Sequence, residues 1–232
     1  MAIRLGVIIP AHNEEGSVAE IVGRVLESLP DGFVGRVVVT DNLSTDQTAR
    51  RAANAGAEVA REVKRGYGAA CRAAIARLGS WPQIHLFLDA DGSSRPEEMA
   101  RLLAPIANDE ADLVLGVRPQ NAPMTPPQRW GSQLAVTLVD WRWGHRFQDM
   151  GPFRAIRRES FESLGMRDQT WGWTVEMQIL ALLNGFRIRE VEVSWVRRLS
   201  GVSKISGTVA GVSRAGARIL WTIARYGLER RI

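Results

Sequence analysis

Asp89 and Asp91, one residue apart, are the pair in this 232-residue chain best suited to chemistry. They follow the apolar run 84–88. Two carboxylates so spaced at a strand end can share a hard divalent cation, Mg²⁺ or Mn²⁺, directly or through water, together with phosphate oxygens. The same pair also reads as a turn leading into a helix cap. Two further polar clusters follow apolar runs: Pro10-Ala11-His12-Asn13-Glu14-Glu15, and the stretch from Asp41 to Thr48. Each has a plain reading as turn and helix start, since Ser44 and Asp46 are good cap residues and Glu14 and Glu15 favour the positive end of a helix. Ligands of open parallel sheets collect outside the carboxyl ends of the strands, so three acidic clusters are expected on one edge. Their mutual repulsion predicts a raised carboxylate pKa, which a bound cation would relieve.

The elements that must position these groups alternate regularly. Short Val/Ile/Leu runs at 5–9, 36–40, 84–88 and 112–116 suit strands buried on both faces. Val18, Ile21, Val22, Val25, Leu26 and Leu29 repeat with helical spacing until Pro30-Asp31-Gly32 stops the run. Further helices are expected at 46–55, 67–78 and 96–106. This order predicts an α/β fold, a mostly parallel twisted sheet with helices on both faces. Four prolines within 119–127 predict a loop or flap. After it come a helix at 128–139, a Trp- and Arg-rich turn region, a helix at 173–183, a strand at 187–194 and a helical tail from 206. Arg65-Gly66-Tyr67-Gly68-Ala69-Ala70 suits either a tight turn or close approach of a nucleotide to the backbone; it lacks the third glycine of a dinucleotide fingerprint.

Composition bounds the class. The chain is 45% apolar and 24% charged, as expected of a globular domain with its own core. Cys71 is the sole cysteine, which excludes a disulfide framework and predicts a cytoplasmic protein. No apolar run reaches the roughly 18 residues of a spanning helix, and 5–9 is too short for a signal peptide. The net charge of +5 is uneven: 1–115 holds 12 basic against 16 acidic residues, and 116–232 holds 18 against 9. The second half therefore suits an anionic partner, whether lipid or a phosphorylated small molecule. The acidic first half and the absence of a recognition motif argue against nucleic acid.

In order and spacing, Pro10 to Glu15, Asp41 to Thr48, Arg65 to Ala70, Asp89-Ala90-Asp91, Gly151-Pro152-Phe153-Arg154 and Arg198 to Lys204 together resemble the family-2 nucleotide-sugar glycosyltransferases of the GT-A fold. The resemblance spans about residues 4–205, and within the family it is nearer to the dolichyl-phosphate mannose synthase-like branch. It implies a single catalytic domain over 1–205, with a nucleotide-sugar half at 1–116 and an acceptor half at 117–205. It implies that Pro10, Ala11, Asn13, Glu14 and Asp41 hold the donor's base and ribose, joined by Arg65, Gly66 and Ala90, and that Asp89 and Asp91 flank the diphosphate, with Asp91 the direct metal ligand. Arg118, Arg129 and Arg198 match positions that receive an acceptor phosphate; Ser203 and Lys204 lie on a loop that closes over donor phosphate. Inverting transfer to a polyprenyl phosphate is the activity it implies. A phosphate acceptor needs no strong base; a hydroxyl acceptor requires Asp149 or Glu176 as one. A non-catalytic nucleotide-sugar binder is the reading from another class.

Five of the eight tryptophans lie between 130 and 173, where packing is the commoner role and a sugar or lipid channel the other. In the tail, 206–232, Arg214, Arg218 and Arg225 share a helix face, while Val209, Val212, Ile219, Leu220 and Ile223 offer apolar surface. That pattern suits peripheral attachment to anionic lipid, docking on the body of the chain, or contact with a second subunit.

Overall fold

The computed structural model describes residues 2–201 and 209–229. Seven strands form one sheet: β1 (Ile3–Ala11), β2 (Phe33–Asp41), β3 (Glu58–Arg61), β4 (Ile84–Phe87), β5 (Leu113–Val117), β6 (Arg154–Arg157) and β7 (Ile188–Glu192). Their order is β3-β2-β1-β4-β6-β5-β7, and only β6 runs antiparallel to its neighbours. The helices are α1 (Val18–Glu27), α2 (Thr48–Asn54), α3 (Tyr67–Leu78), α4 (Met99–Ala107), α5 (Pro126–Trp143), α6 (Arg158–Leu164), α7 (Trp173–Leu183) and α8 (Val209–Glu229). One core layer packs α1, α2 and α4 on the sheet; the other packs α3, α5, α6, α7 and α8. Burial on both faces is why β1, β4 and β5 are nearly continuous in Val, Ile, Leu and Phe.

The periodic elements fall where the sequence puts them. The apolar stripe of α1 buries Val18, Ile21, Val22 and Val25, with Leu26 turned outward. Helices α3 and α7 occupy the expected spans. Three features differ. Strand β3 is a four-residue edge strand of half-buried, mixed composition, without the apolar run that marks the others. Strand β6 and helix α6 lie in the region expected to be a turn; an arginine begins β6, and Arg154 is nonetheless fully buried. Finally, α5 is longer than 128–139, because Pro126 and Pro127 start it behind Thr125, whose backbone N–H donates to Gln128 Oε1 at 2.9 Å. Its end is set by Gly144 in the left-handed conformation.

The tail helix α8 docks on the body, against α5 and α7. Ile219 and Ile223 face the core, Arg218 Nε donates to Asp168 Oδ2 at 2.5 Å, and the Tyr226 hydroxyl donates to Glu176 Oε1 at 2.6 Å. Leu220 is exposed. The side chains of Val209 and Val212 lie outside the described residues. No helix among the described residues is long and apolar enough to cross a membrane.

Candidate active site

The carboxyl ends of β1 and β2 are level, with Ala11 paired to Asp41 and the Asn42 N–H donating to Ala11 O at 2.9 Å. The loops that follow are stitched together. Asn13 N–H donates to Ser44 Oγ at 3.0 Å, Thr45 N–H to Asn13 Oδ1 at 2.8 Å, and Glu14 N–H to Thr48 Oγ1 at 2.9 Å. The Asn13 side chain is thus a loop clasp at a residue with φ of 53°. Asn42, nearly fully buried, donates through Nδ2 to Glu62 O and Lys64 O and accepts from Gly66 N–H, all at 2.9 Å. It therefore clamps the 62–66 loop beside β1.

That clamp forms a cavity of about 110 Å³ lined by Pro10, Ala11, His12, Asn42, Arg65, Gly66, Tyr67, Ala70 and Trp171. Pro10, Ala11, Arg65 and Gly66 were legible in the sequence as donor-site candidates; Tyr67 and Trp171 were not, because tyrosine and tryptophan so placed read equally as core. Asp41 faces a separate, open groove with Leu43, Ser44, Asp46 and Val63. The three acidic clusters share one sheet edge, but Asp41 and Asp46 line this open groove while the smaller cavity carries no carboxylate, so they do not gather in one pocket. The glycines of 65–70 also have a packing cause: a Cβ on Gly66 would stand 2.2 Å from Gln169 O, and one on Gly68 2.6 Å from Asp168 O. They admit the 168–170 backbone, which walls this side of the site.

Past β4, Asp89 is half-buried and its carboxyl is pushed up to about 7, first by desolvation and then by the charge of Asp91. Ala90 is buried between them. The Tyr67 hydroxyl acts on Asp89 yet completes no well-aligned hydrogen bond. Asp91 Oδ1 accepts from Ser93 N–H at 2.9 Å and Ser93 Oγ at 2.6 Å. A strap after β7 crosses this edge: Val196 N–H donates to Ser93 O at 3.0 Å and Leu199 N–H to Asp91 O at 2.9 Å. Gly16 and Gly92 lie beneath it, where a Cβ would meet Ser200 at 2.4 Å and Leu199 at 2.6 Å. Arg198 on the strap donates through Nη2 to both carboxylate oxygens of Glu14, at 2.7 and 2.9 Å, and its Nη1 lies 3.9 Å from Asp91 Oδ2.

The other expected site residues are placed as follows. Arg118 Nε and Nη2 donate to Asp149 at 2.6 and 2.7 Å, in a pair at most 10% exposed, with the guanidinium 5.0 Å from the Trp195 ring centre. Burial pushes Asp149 up, but hydrogen bonds from Arg118 and Ser132 prevail and leave its carboxyl below the ordinary value. Glu176 is fully buried and accepts from the N–H groups of Arg167 and Asp168 as well as from Tyr226. Neither carboxylate is placed as a free base: Asp149 is an ion-pair partner and Glu176 an anchor for two segments. Arg129 staples the proline loop, donating to Gln120 O and Ala122 O. Ser203 and Lys204 lie outside the described residues. The structure thus groups Glu14, Asp91 and Arg198, with Asp89 and Arg118 electrostatically coupled to them.

Asp89 and Asp91 fit a divalent cation. The Asp89 carboxyl is raised first by desolvation and then by the Asp91 charge, and among the described residues no group of three or more His, Cys, Asp or Glu side chains is placed to hold a metal ion. Two carboxylates one residue apart could hold a divalent cation only if substrate phosphate and water supplied its other oxygens.

The seven-stranded mixed sheet with helices on both faces is the GT-A fold. Residues 6–165 match the family model described as Glycosyl transferase family 2. The chain belongs to that family and is a glycosyltransferase. It is 36% identical over 209 residues to an uncharacterised glycosyltransferase of Mycobacterium tuberculosis, covering 88% of this chain and 91% of the relative. It is 32% identical over 253 residues to the undecaprenyl-phosphate mannosyltransferase of Micrococcus luteus, covering 97% of this chain and all of the relative. Among solved structures, glucosyl-3-phosphoglycerate synthase of M. tuberculosis in complex with Mn²⁺, UDP-glucose and phosphoglyceric acid superposes with a TM-score of 0.75 at 21% identity, covering 96% of this chain and 80% of that one.

Proposed function

We propose that the chain moves a sugar from a nucleotide-diphosphate donor to a phosphorylated acceptor, a polyprenyl phosphate, with inversion at the anomeric carbon. The observation that carries this reading is the engagement of both candidate bases, Asp149 with Arg118 and Glu176 with the 167–168 backbone and Tyr226. A phosphate monoester needs neither, because its second pKa near 6 leaves a nucleophilic oxygen already ionised at pH 7. The similarity to the M. luteus enzyme over nearly the whole chain supports the same acceptor class.

In this account, Pro10, Ala11, His12, Arg65 and Gly66 receive the base and ribose, beside Asn13, Glu14 and Asp41, which shape the loops. Asp91, with Asp89 and Ala90 behind it, would hold Mg²⁺ or Mn²⁺; Mn²⁺ accompanies UDP-glucose in the M. tuberculosis structure. Such a cation would supply neutralisation of the charge that builds on the leaving diphosphate. Arg198 presents its guanidinium to the acceptor phosphate, Arg118 stays held against Asp149 behind it, Arg129 fixes the loop that precedes α5, and Ser203 and Lys204 serve the donor phosphates. The acceptor oxygen attacks the anomeric carbon as the bond to the diphosphate breaks, and the nucleoside diphosphate leaves with that electron pair. The glycosyl phosphate product keeps its remaining negative charge near the arginines.

The test is a transfer assay with one competent donor and three acceptors: undecaprenyl phosphate, phosphoglycerate and undecaprenol. Product is expected from undecaprenyl phosphate. Transfer to undecaprenol or phosphoglycerate at equal efficiency would overturn the phosphate-nucleophile reading.

A further inference from the structure

Helices α5 and α8 lie side by side, both burying residues in the same core layer: Ala135, Val136 and Val139 from α5, Ile223 and Tyr226 from α8. Their opposite ridges therefore point away from that core together. On α5 the outward ridge carries Trp130 and Trp141, 70% and 81% exposed and eleven residues apart, which is three helical turns on one face. On α8 it carries Leu220, Trp221 and Leu228, the last 88% exposed. Large apolar side chains gathered this way depart from the scattered exposure usual on soluble surfaces.

Charge chooses the occupant. The stretches 126–146 and 209–232 hold eight arginines against Asp140 and Glu229. Trp221 lies under two of them, 4.3 Å from the Arg218 guanidinium and 5.2 Å from that of Arg225. Tryptophan beside arginine is the composition that settles at the boundary of headgroups and acyl chains; Arg218 is paired with Asp168, so anionic lipid is met by the excess of arginine along the two helices rather than by Arg218.

We propose that the outward ridges of α5 and α8 form one surface that seats on an anionic bilayer. This goes beyond the acceptor assignment and stands on different residues. It also corrects the tail pattern: Ile219 and Ile223, apolar in sequence, are used against the protein, and the lipid-facing groups come from Trp130, Trp141, Leu220, Trp221 and Leu228. The surface adjoins the acceptor side of the site, since Ser132 on α5, two residues from Trp130, donates to Asp149 Oδ1 at 2.7 Å.

The experiment is sedimentation of the full chain with phosphatidylcholine vesicles, with and without phosphatidylglycerol, and with neither donor nor acceptor present, so that binding is read without turnover. Partition onto the anionic vesicles is expected to exceed that onto neutral ones by about tenfold and to weaken in high salt. The double variant Trp130→Ser/Trp141→Ser is expected to lose that partition while keeping its melting temperature. Leu228→Glu, at the far end of α8, supplies an independent variant if the first folds poorly. Equal partition by wild type and a folded variant, or no partition at all, overturns the proposal. So does a dimer in ultracentrifugation that the same substitutions dissolve, which would make this face a contact between copies.

Discussion

At the scale of single residues, the buried ion pair between Arg118 and Asp149 is a contact that the sequence could not reveal. Arg118 and Asp149 each look like independent functional groups, thirty-one positions apart; folding pairs them and removes both from water. Deleting one partner of a buried pair strands the other's charge at a cost of about 3–5 kcal/mol. Asp149→Ala is therefore expected to lower the urea-unfolding free energy by about 3 kcal/mol, and adding Arg118→Met should recover roughly half of it. Strictly additive losses would show the pair to be uncoupled. The Asp89–Asp91 pair, by contrast, was legible, because proximity in sequence guarantees proximity in space. So was the direction of its electrostatics, with Asp89 pushed up to about 7.

Among the elements, those with a strong period were readable and those defined by a neighbour were not. Helices α1, α3 and α7 announce themselves by apolar spacing or by glycine at the start, whereas β3 and β6 exist because the sheet offers each a partner strand. Arg154 disguised β6: a charged residue in a core strand donates through Nη1 and Nη2 to the backbone carbonyls of Thr174 and Gly151 while its Nε has no partner, and burial lowers its pKa to about 10. The glycines of α3 show how a nucleotide-like motif can have a second cause. Gly68→Ala would press on Asp168 O at 2.6 Å and on the Trp173 ring at 2.8 Å, neither of which can swing aside. Overpacking of this kind costs about 1–3 kcal/mol, so calorimetry should show a melting temperature lower by several degrees. Gly131→Ala, within α5 and with nothing within 4 Å, should instead raise stability by about 0.5–1 kcal/mol. A loss at both positions would refute the packing explanation.

For the molecule as a whole, sequence composition foretold the division of charge and the layered α/β architecture, but not which faces of α5 and α8 would remain outward. It also gave no warning of acid sensitivity. His85 is buried in β4 against Phe161, its Nδ1 without a hydrogen-bond partner, and burial lowers its pKa to about 4. Between the unfolded value of about 6.5 and the folded value, the unfolded chain binds the additional proton. Stability therefore falls as pH drops through that window and is independent of this group above it. The loss approaches roughly 3 kcal/mol below pH 4, and His85→Phe is expected to flatten the 4–6.5 segment of a stability-pH curve. An unchanged slope would place the acid sensitivity elsewhere.

The central claim is that the edge holding Asp89 and Asp91 binds a divalent cation together with a sugar-linked diphosphate. Thermal unfolding of wild type and Asp91→Asn, with a nucleotide-sugar panel in the presence and absence of Mn²⁺, tests it most directly. Wild type should melt several degrees higher only when a competent donor and Mn²⁺ are both present, since a ligand at a hundred times its Kd adds about 2.7 kcal/mol. Asp91→Asn should keep the ligand-free melting temperature and lose that increment. A donor-induced rise that ignores Mn²⁺, or one that survives intact in Asp91→Asn, would contradict the account.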